Sequence, residues 1–173
     1  MGDYRPISLC SVLYKIITKA MTNRLRGVMG EIISETQCAF IPRRMISDNT
    51  TVGFECISRL KRRKGKKGSM TLKLDMSKAY DRVEWGLIER MVVKLGLSKK
   101  WRKLIMNCIS SVSYSFRLNR ELYGHIIPSR GLRQGDPLSP YLFLMCAEGL
   151  SSLIQGEQDR GEINGLKPSR HNL

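Results

Sequence analysis

Long apolar runs are missing from this chain. The longest, Tyr141–Ala147, spans seven residues, far short of the roughly 18 that a membrane-crossing helix needs, so no span is expected. The start, MGDYRP, lacks the apolar stretch of a signal peptide. Acidic residues are scarce: 15 Asp and Glu stand against 30 Lys and Arg. No two aspartates are adjacent anywhere. The five cysteines, Cys10, Cys38, Cys56, Cys108 and Cys146, are odd in number and lack zinc-ligand spacing. They do not read as a disulfide framework, and a zinc site built with His125 or His171 is disfavoured. The cysteines read as reduced, mostly buried thiols of an intracellular protein, nuclear or cytoplasmic. No internal repeat is visible.

What is present is a basic, globular composition. Apolar residues make up 42% of the 173, enough for one core or for part of a larger domain. The net charge of +15 points to a polyanionic partner: nucleic acid first, an anionic membrane second. A ribosomal-type basic protein has the same signature.

Two stretches carry chemistry. In MTLKLDMSKAYDRVEW (70–85), Met70, Leu72 and Leu74 alternate with Thr71, Lys73 and Asp75. That period of two predicts a half-buried strand ending on Asp75. Ser77 can then cap a helix with Tyr80, Val83 and Leu87 on its apolar side. A carboxylate at a strand-to-helix junction is open to solvent yet rigidly held, which suits Mg²⁺ shared with substrate phosphates. It also suits an ordinary turn. In RGLRQGDPLSPYLF (130–143), Gly131 and Gly135 permit close backbone approach. Asp136 can cap a helix with Pro137 at its first position, and Ser139-Pro140 can do so one turn later. Arg133 and Gln134 precede that helix start, where amide donors and the dipole favour phosphate.

These two stretches, some 50 residues apart, resemble the palm of a reverse transcriptase, and specifically of the non-LTR, LINE-type retroelements common in plant genomes. DYRPISLCSVLYKIITKAMTNRL (3–25) and SETQCAFIPRRMISDN (34–49) resemble the fingers segments of the same family. The resemblance runs through nearly the whole chain in order. It implies RNA-directed DNA polymerisation with dNTPs, an RNA template, a DNA primer and two Mg²⁺ ions, Mn²⁺ being the alternative. It makes Asp75 a catalytic metal ligand, with the Met76 carbonyl as a second contact. Tyr80 is implied beneath the sugar ring, where bulk disfavours a 2′-hydroxyl; packing within its helix is the competing role. Gln134 and Gly135 resemble the nucleotide pocket, backed by Arg133, and Arg5 resembles a fingers arginine that meets the triphosphate. The competing role for the 133–135 stretch is a capped helix entrance without ligand.

Two features depart from that pattern. The family usually shows Gly where this chain has Arg43, in the turn before Arg44, so a position that wants positive φ carries a side chain. The second catalytic carboxylates of the family lie in an Ala-Asp-Asp turn. This chain has none, and its tail EINGLKPSRHNL (162–173) resembles the segment before that turn. The expectation is therefore a polymerase fragment without its Asp-Asp hairpin or thumb, inactive by itself. The alternatives are a catalytically dead nucleic-acid-binding remnant and a relic without a selected role.

The remaining segments complete an α+β reading. Helices are expected from Ile7 or Ser8 to about Met29, ending near Gly27–Gly30; from Asp48 to Lys61; over Val83–Leu95; over Lys99–Ser110 behind a Ser98 cap; and over Pro137–Ile154. Leu9, Val12, Leu13, Ile16, Ile17, Met21 and Leu25 are expected to form the first helix's apolar face. KRRKGKKG (61–68) reads as a basic loop, in which Lys61, Arg62, Arg63, Lys64, Lys66 and Lys67 are candidate phosphate-backbone contacts or merely solubilising charges. Residues 113–118 and 124–128 predict a β-hairpin around Asn119–Tyr123. Asp81 is expected to pair with Lys78 or Arg82. The expected organisation is fingers-like over 1–69, palm-like over 70–155, and a polar tail over 156–173. A small antiparallel sheet holding Asp75 and the hairpin is expected to pack on helices.

Overall fold

Helices make up most of the described chain, residues 8–62 and 68–165 of a computed structural model. They are α1 (Val12–Ile32), α2 (Ile46–Arg62), α3 (Ala79–Arg82), α4 (Trp85–Lys94), α5 (Lys99–Ser110) and α6 (Ser139–Asp159). Between α5 and α6 lies a hairpin of β1 (Tyr114–Leu118) and β2 (Glu121–Ile126).

One core joins α1, α4, α5 and α6. Met21, Leu25 and Met29 of α1 meet Ile88, Met91 and Val92 of α4, Ile105 and Ile109 of α5, and Leu142 and Met145 of α6. Where α4 and α6 cross, Gly149 leaves room for Met91: a β-carbon there stands 3.0 Å from the Met91 sulfur. The α5 boundaries are those the sequence predicts, because Ser98 accepts from the Trp101 amide at 3.4 Å and fixes the start.

α1 differs from expectation at both ends and on its face. It starts at Val12, with Ser11 accepting from the Tyr14 amide, and runs through Gly27 and Gly30 to Ile32. Its buried residues are Thr18, Met21, Thr22, Leu25 and Met29. Leu9, Val12, Leu13, Ile16 and Ile17 are all more than half exposed. At 100° per residue the Val12–Ile16 side lies opposite the Met21–Leu25 side, and only the latter faces α4 to α6. The carbonyls at its C-terminal end are collected by one side chain. Arg44 donates from Nη1 to Ser34 O (2.5 Å) and Gln37 O (2.8 Å), and from Nη2 to Gly30 O (3.1 Å) and Ile33 O (3.2 Å). Arg43 beside it holds φ +65°: the position demands positive φ, and an arginine supplies it.

The strand expected over 70–75 is not formed among the described residues. Residues 70–76 are exposed and carry no secondary structure, because a strand needs a neighbour and the sheet among the described residues contains β1 and β2 alone. Asp75 is therefore not on the sheet. The hairpin turn is tighter than expected: Asn119 (φ 48°) and Arg120 (φ 70°) form a two-residue loop of the type that suits a twisted hairpin. Leu118 pairs with Glu121 and Phe116 with Tyr123, with an irregularity before Tyr114–Ile126. Apart from Tyr114 the hairpin residues are exposed, so the sheet does not pack on helices as expected.

Three further helix expectations change. The helix after Asp75 is broken in two: Lys78 sits in the left-handed region (φ 52°), α3 lasts four residues, and Val83–Glu84 is extended before α4. No side chain caps α3, so Ser77 does not do so. α2 buries nothing, and Val52, Phe54 and Ile57 are exposed. α6 starts at Ser139, after Asp136 accepts from the Leu138 amide at 3.1 Å, and continues to Asp159. Leu138, Tyr141, Leu142 and Met145 are buried, whereas Leu150 and Leu153 are exposed. On α5, Leu104 is 40% exposed while Trp101 and Cys108 are half-buried.

Candidate functional site

The two chemistry-bearing stretches are joined by their backbones. The Leu132 amide donates to the Tyr80 carbonyl and the Gly131 amide to the Val83 carbonyl, each at 2.8 Å. Trp85 Nε1 donates to the Gly131 carbonyl at 2.8 Å. Gly131 has φ +93°, and a β-carbon on it stands 3.2 Å from the Asp81 carbonyl oxygen. This is the close approach that glycine permits, and its neighbour is the chain's own backbone. The clasp accounts for the broken helix, since Tyr80 and Val83 must turn their carbonyls toward the 131–132 strip.

Around the clasp sits a polar and aromatic cluster. The Tyr14 hydroxyl proton is shared between Asp136 Oδ2 (2.9 Å) and the Cys108 carbonyl (3.1 Å). Burial first, and the Asp136 charge second, push the Tyr14 hydroxyl far above its ordinary pKa. Arg133 lies with its guanidinium carbon 4.4 Å from the Tyr14 ring centre and 5.5 Å from that of Tyr114. Its Nη1 contacts Cys10 Sγ at 3.4 Å, and its Nε is buried without a partner among the described residues. The Ser8 amide donates to the Gln134 carbonyl at 3.1 Å, tying the start of the described chain to the glycine strip. Gly135 has φ +97°.

The other candidate residues are placed as follows. Tyr80 is half-buried and stacked on Phe143 of α6, ring centres 5.2 Å apart, and burial raises its pKa. Asp75 and Met76 are exposed, five and four residues before Tyr80. Asp81 is exposed and forms no ion pair among the described residues, so the expected pairing with Lys78 or Arg82 is not made. Lys61 and Arg62 are exposed on the last turn of α2 rather than in a loop. Arg5, Arg63, Lys64, Lys66 and Lys67 lie outside the described residues. Arg44 is engaged with carbonyls of its own chain, as given above.

Among the described residues no three His, Cys, Asp or Glu side chains gather closely enough to hold a metal ion. The described residues do not by themselves make a site for a pair of divalent ions. No helix among them is long and apolar enough to cross a membrane. All five cysteines are free, Cys38 buried and the others half-buried.

Residues 1–164 match the model of the family described as reverse transcriptase (RNA-dependent DNA polymerase). The chain belongs to that family. Among curated proteins, this reverse transcriptase chain is 30% identical over 153 residues to the transposon TX1 uncharacterized 149 kDa protein of Xenopus laevis, covering 88% of the chain and 12% of that protein. It is 50% identical over 56 residues to the uncharacterized mitochondrial protein AtMg01250 of Arabidopsis thaliana, 32% of the chain and 46% of that protein. It is 27% identical over 157 residues to the retrovirus-related Pol polyprotein from type-2 retrotransposable element R2DM of Drosophila melanogaster, 90% of the chain and 14% of that protein. The chain thus spans less than half the length of each.

Four participants were not legible in the sequence. Tyr14 lies on the α1 side that merely looked amphipathic, and its partner Asp136 is 122 residues away. Trp85 and Phe143 looked like ordinary helix positions. Glu148 accepts from the Ser34 amide (3.0 Å) and hydroxyl (2.9 Å), fixing the segment after α1 onto α6. Only the capping potential of Asp136 gave a local signal.

Proposed function

We propose that this chain is fingers and palm of a non-LTR retroelement reverse transcriptase, 1–69 fingers-like and 70–155 palm-like, acting on an RNA template, a DNA primer and dNTPs. The observation that supports this best is the backbone clasp of Tyr80 and Val83 with Leu132 and Gly131. It joins the Tyr80–Val83 turn, which begins five residues after Asp75, to the strip that starts at Gly131. Gln134 and Gly135 offer a backbone that can approach a nucleotide. Tyr80, braced by Phe143, offers a fixed ring for a sugar to rest on. Arg133 holds the strip by stacking on Tyr14 and Tyr114. Asp75, exposed four residues before α3, is the carboxylate that the family chemistry needs first. Two divalent ions supply the charge neutralisation of nucleotidyl transfer when bound, and the donors described here do not complete their site.

Primer extension by the 173-residue polypeptide tests the reading. With an RNA template, a DNA primer, dNTPs and Mg²⁺ or Mn²⁺, no cDNA is expected, while the primer–template is retained with salt-dependent affinity. Robust cDNA synthesis overturns the expectation that this polypeptide is inactive by itself. Failure to retain primer–template even at low salt overturns the nucleic-acid reading itself.

A further inference from the structure

The outer face of α5 carries charge that the fold does not use. Lys99, Lys100, Arg102 and Lys103 place four cations in five residues, and α5 contains no acidic residue. Only Arg102 has a carboxylate partner, Glu89 of α4, at 3.7 Å. Lys99, Lys100 and Lys103 are exposed and form no ion pair among the described residues. Cations in the first turn of a helix oppose its dipole, so this clustering works against the helix that bears it. The helix is nonetheless firmly seated through Ile105 and Ile109, both buried. Its position is set by the core, and the lysines project from the opposite side. Lys99, Lys103 and Asn107 recur at i, i+4 and i+8, forming a polar stripe about 12 Å long.

We propose that this stripe is a nucleic-acid backbone contact, separate from the clasp region and from the 61–67 basic segment. The inference rests on the reading that the domain works on nucleic acid. The ammonium groups of Lys99, Lys100 and Lys103, carried on a firmly seated helix, suit neighbouring phosphates, to which they add affinity without base specificity. A membrane surface fits poorly, because a helix lying in a bilayer interface must give its apolar side to lipid. Here Ile105 and Ile109 are already committed to the protein core.

The test is fluorescence anisotropy of the 173-residue polypeptide with a labelled single-stranded RNA, across a salt series. In K99Q/K100Q/K103Q the dependence of log affinity on log salt is expected to fall by about two units, roughly 100-fold in affinity at 0.1 M salt. K99R/K100R/K103R should restore both. K15Q/K19Q/R24Q removes the same charge from the exposed side of α1 and should change the slope by less than about half a unit. Circular dichroism should show the glutamine variant folded, since the lysines bury nothing. An unchanged slope in K99Q/K100Q/K103Q, while K61Q/R62Q/R63Q/K64Q loses binding, overturns the α5 contact and leaves the nucleic-acid reading standing. Equal losses in the α1 and α5 triples reduce the effect to bulk charge and overturn it too. If the parent chain binds no RNA at low salt, both readings fall together.

Discussion

Replacing Arg43 by glycine should make the protein more stable. Arg43 adopts φ +65°, a conformation that costs an L-residue about 1–2 kcal/mol. Glycine removes that strain but loses about 0.5–1 kcal/mol through its freer unfolded chain. The exposed Arg43 side chain makes no hydrogen bond or ion pair among the described residues, so its removal forfeits little. The net gain is about 0.5–1 kcal/mol, since strain relief exceeds the entropy cost. For a chain of this size that raises the thermal midpoint by about 1–4 °C, or the urea midpoint by roughly 0.4 M. Arg43→Ala keeps the strain and should move the midpoint little. Arg44→Ala is the contrasting neighbour: it strips partners from four carbonyls and should cost about 3 kcal/mol or more. Urea denaturation followed by circular dichroism measures all three. A midpoint for Arg43→Gly at or below the parent value refutes the strain argument.

Other expectations follow from the clasp and the cluster around it. Gly131→Ala adds a β-carbon 3.2 Å from the Asp81 carbonyl oxygen at φ +93°, and should lower stability by about 2–4 kcal/mol in urea denaturation. The Tyr14 pKa is raised on folding, so the unfolded state loses its proton first. Stability is then full below about pH 10 and declines above it; Tyr14→Phe should flatten that decline while lowering the midpoint at pH 7. Burial pushes the Cys146 thiol up to about 11, so at pH 8 Cys146 should be alkylated more slowly than Cys56, as read by peptide mass spectrometry.

How much of this was legible depends on how local each cause is. α5 could be read to the residue because Ser98 and the apolar spacing sit within the helix itself. The positive φ at Arg43 was legible only through the resemblance to the family, which has Gly at that position. The strand at 70–75 was read from alternation alone, yet a strand is completed only by a neighbour, and none is described beside it. The α1 face was misread because two apolar stripes lie on opposite sides of one helix, and periodicity cannot say which one the core takes. Arg133 shows the same limit in the site. Its place before a helix suggested phosphate, whereas its surroundings are Tyr14, Tyr114 and Cys10, all distant in sequence. The meeting of the two motif stretches was implied by resemblance to the family, and the hydrogen bonds that join them are purely tertiary.

The measurement that bears most directly on the clasp is amide hydrogen exchange at Gly131 and Leu132. Their N–H groups donate to Val83 and Tyr80, so both amides should be protected at least about 100-fold over an unstructured peptide, with loss of that protection in Gly131→Ala. Exchange within about threefold of the unstructured rate at both positions would mean that the Asp75 stretch and the glycine strip are not held together, and the proposed site would have no frame.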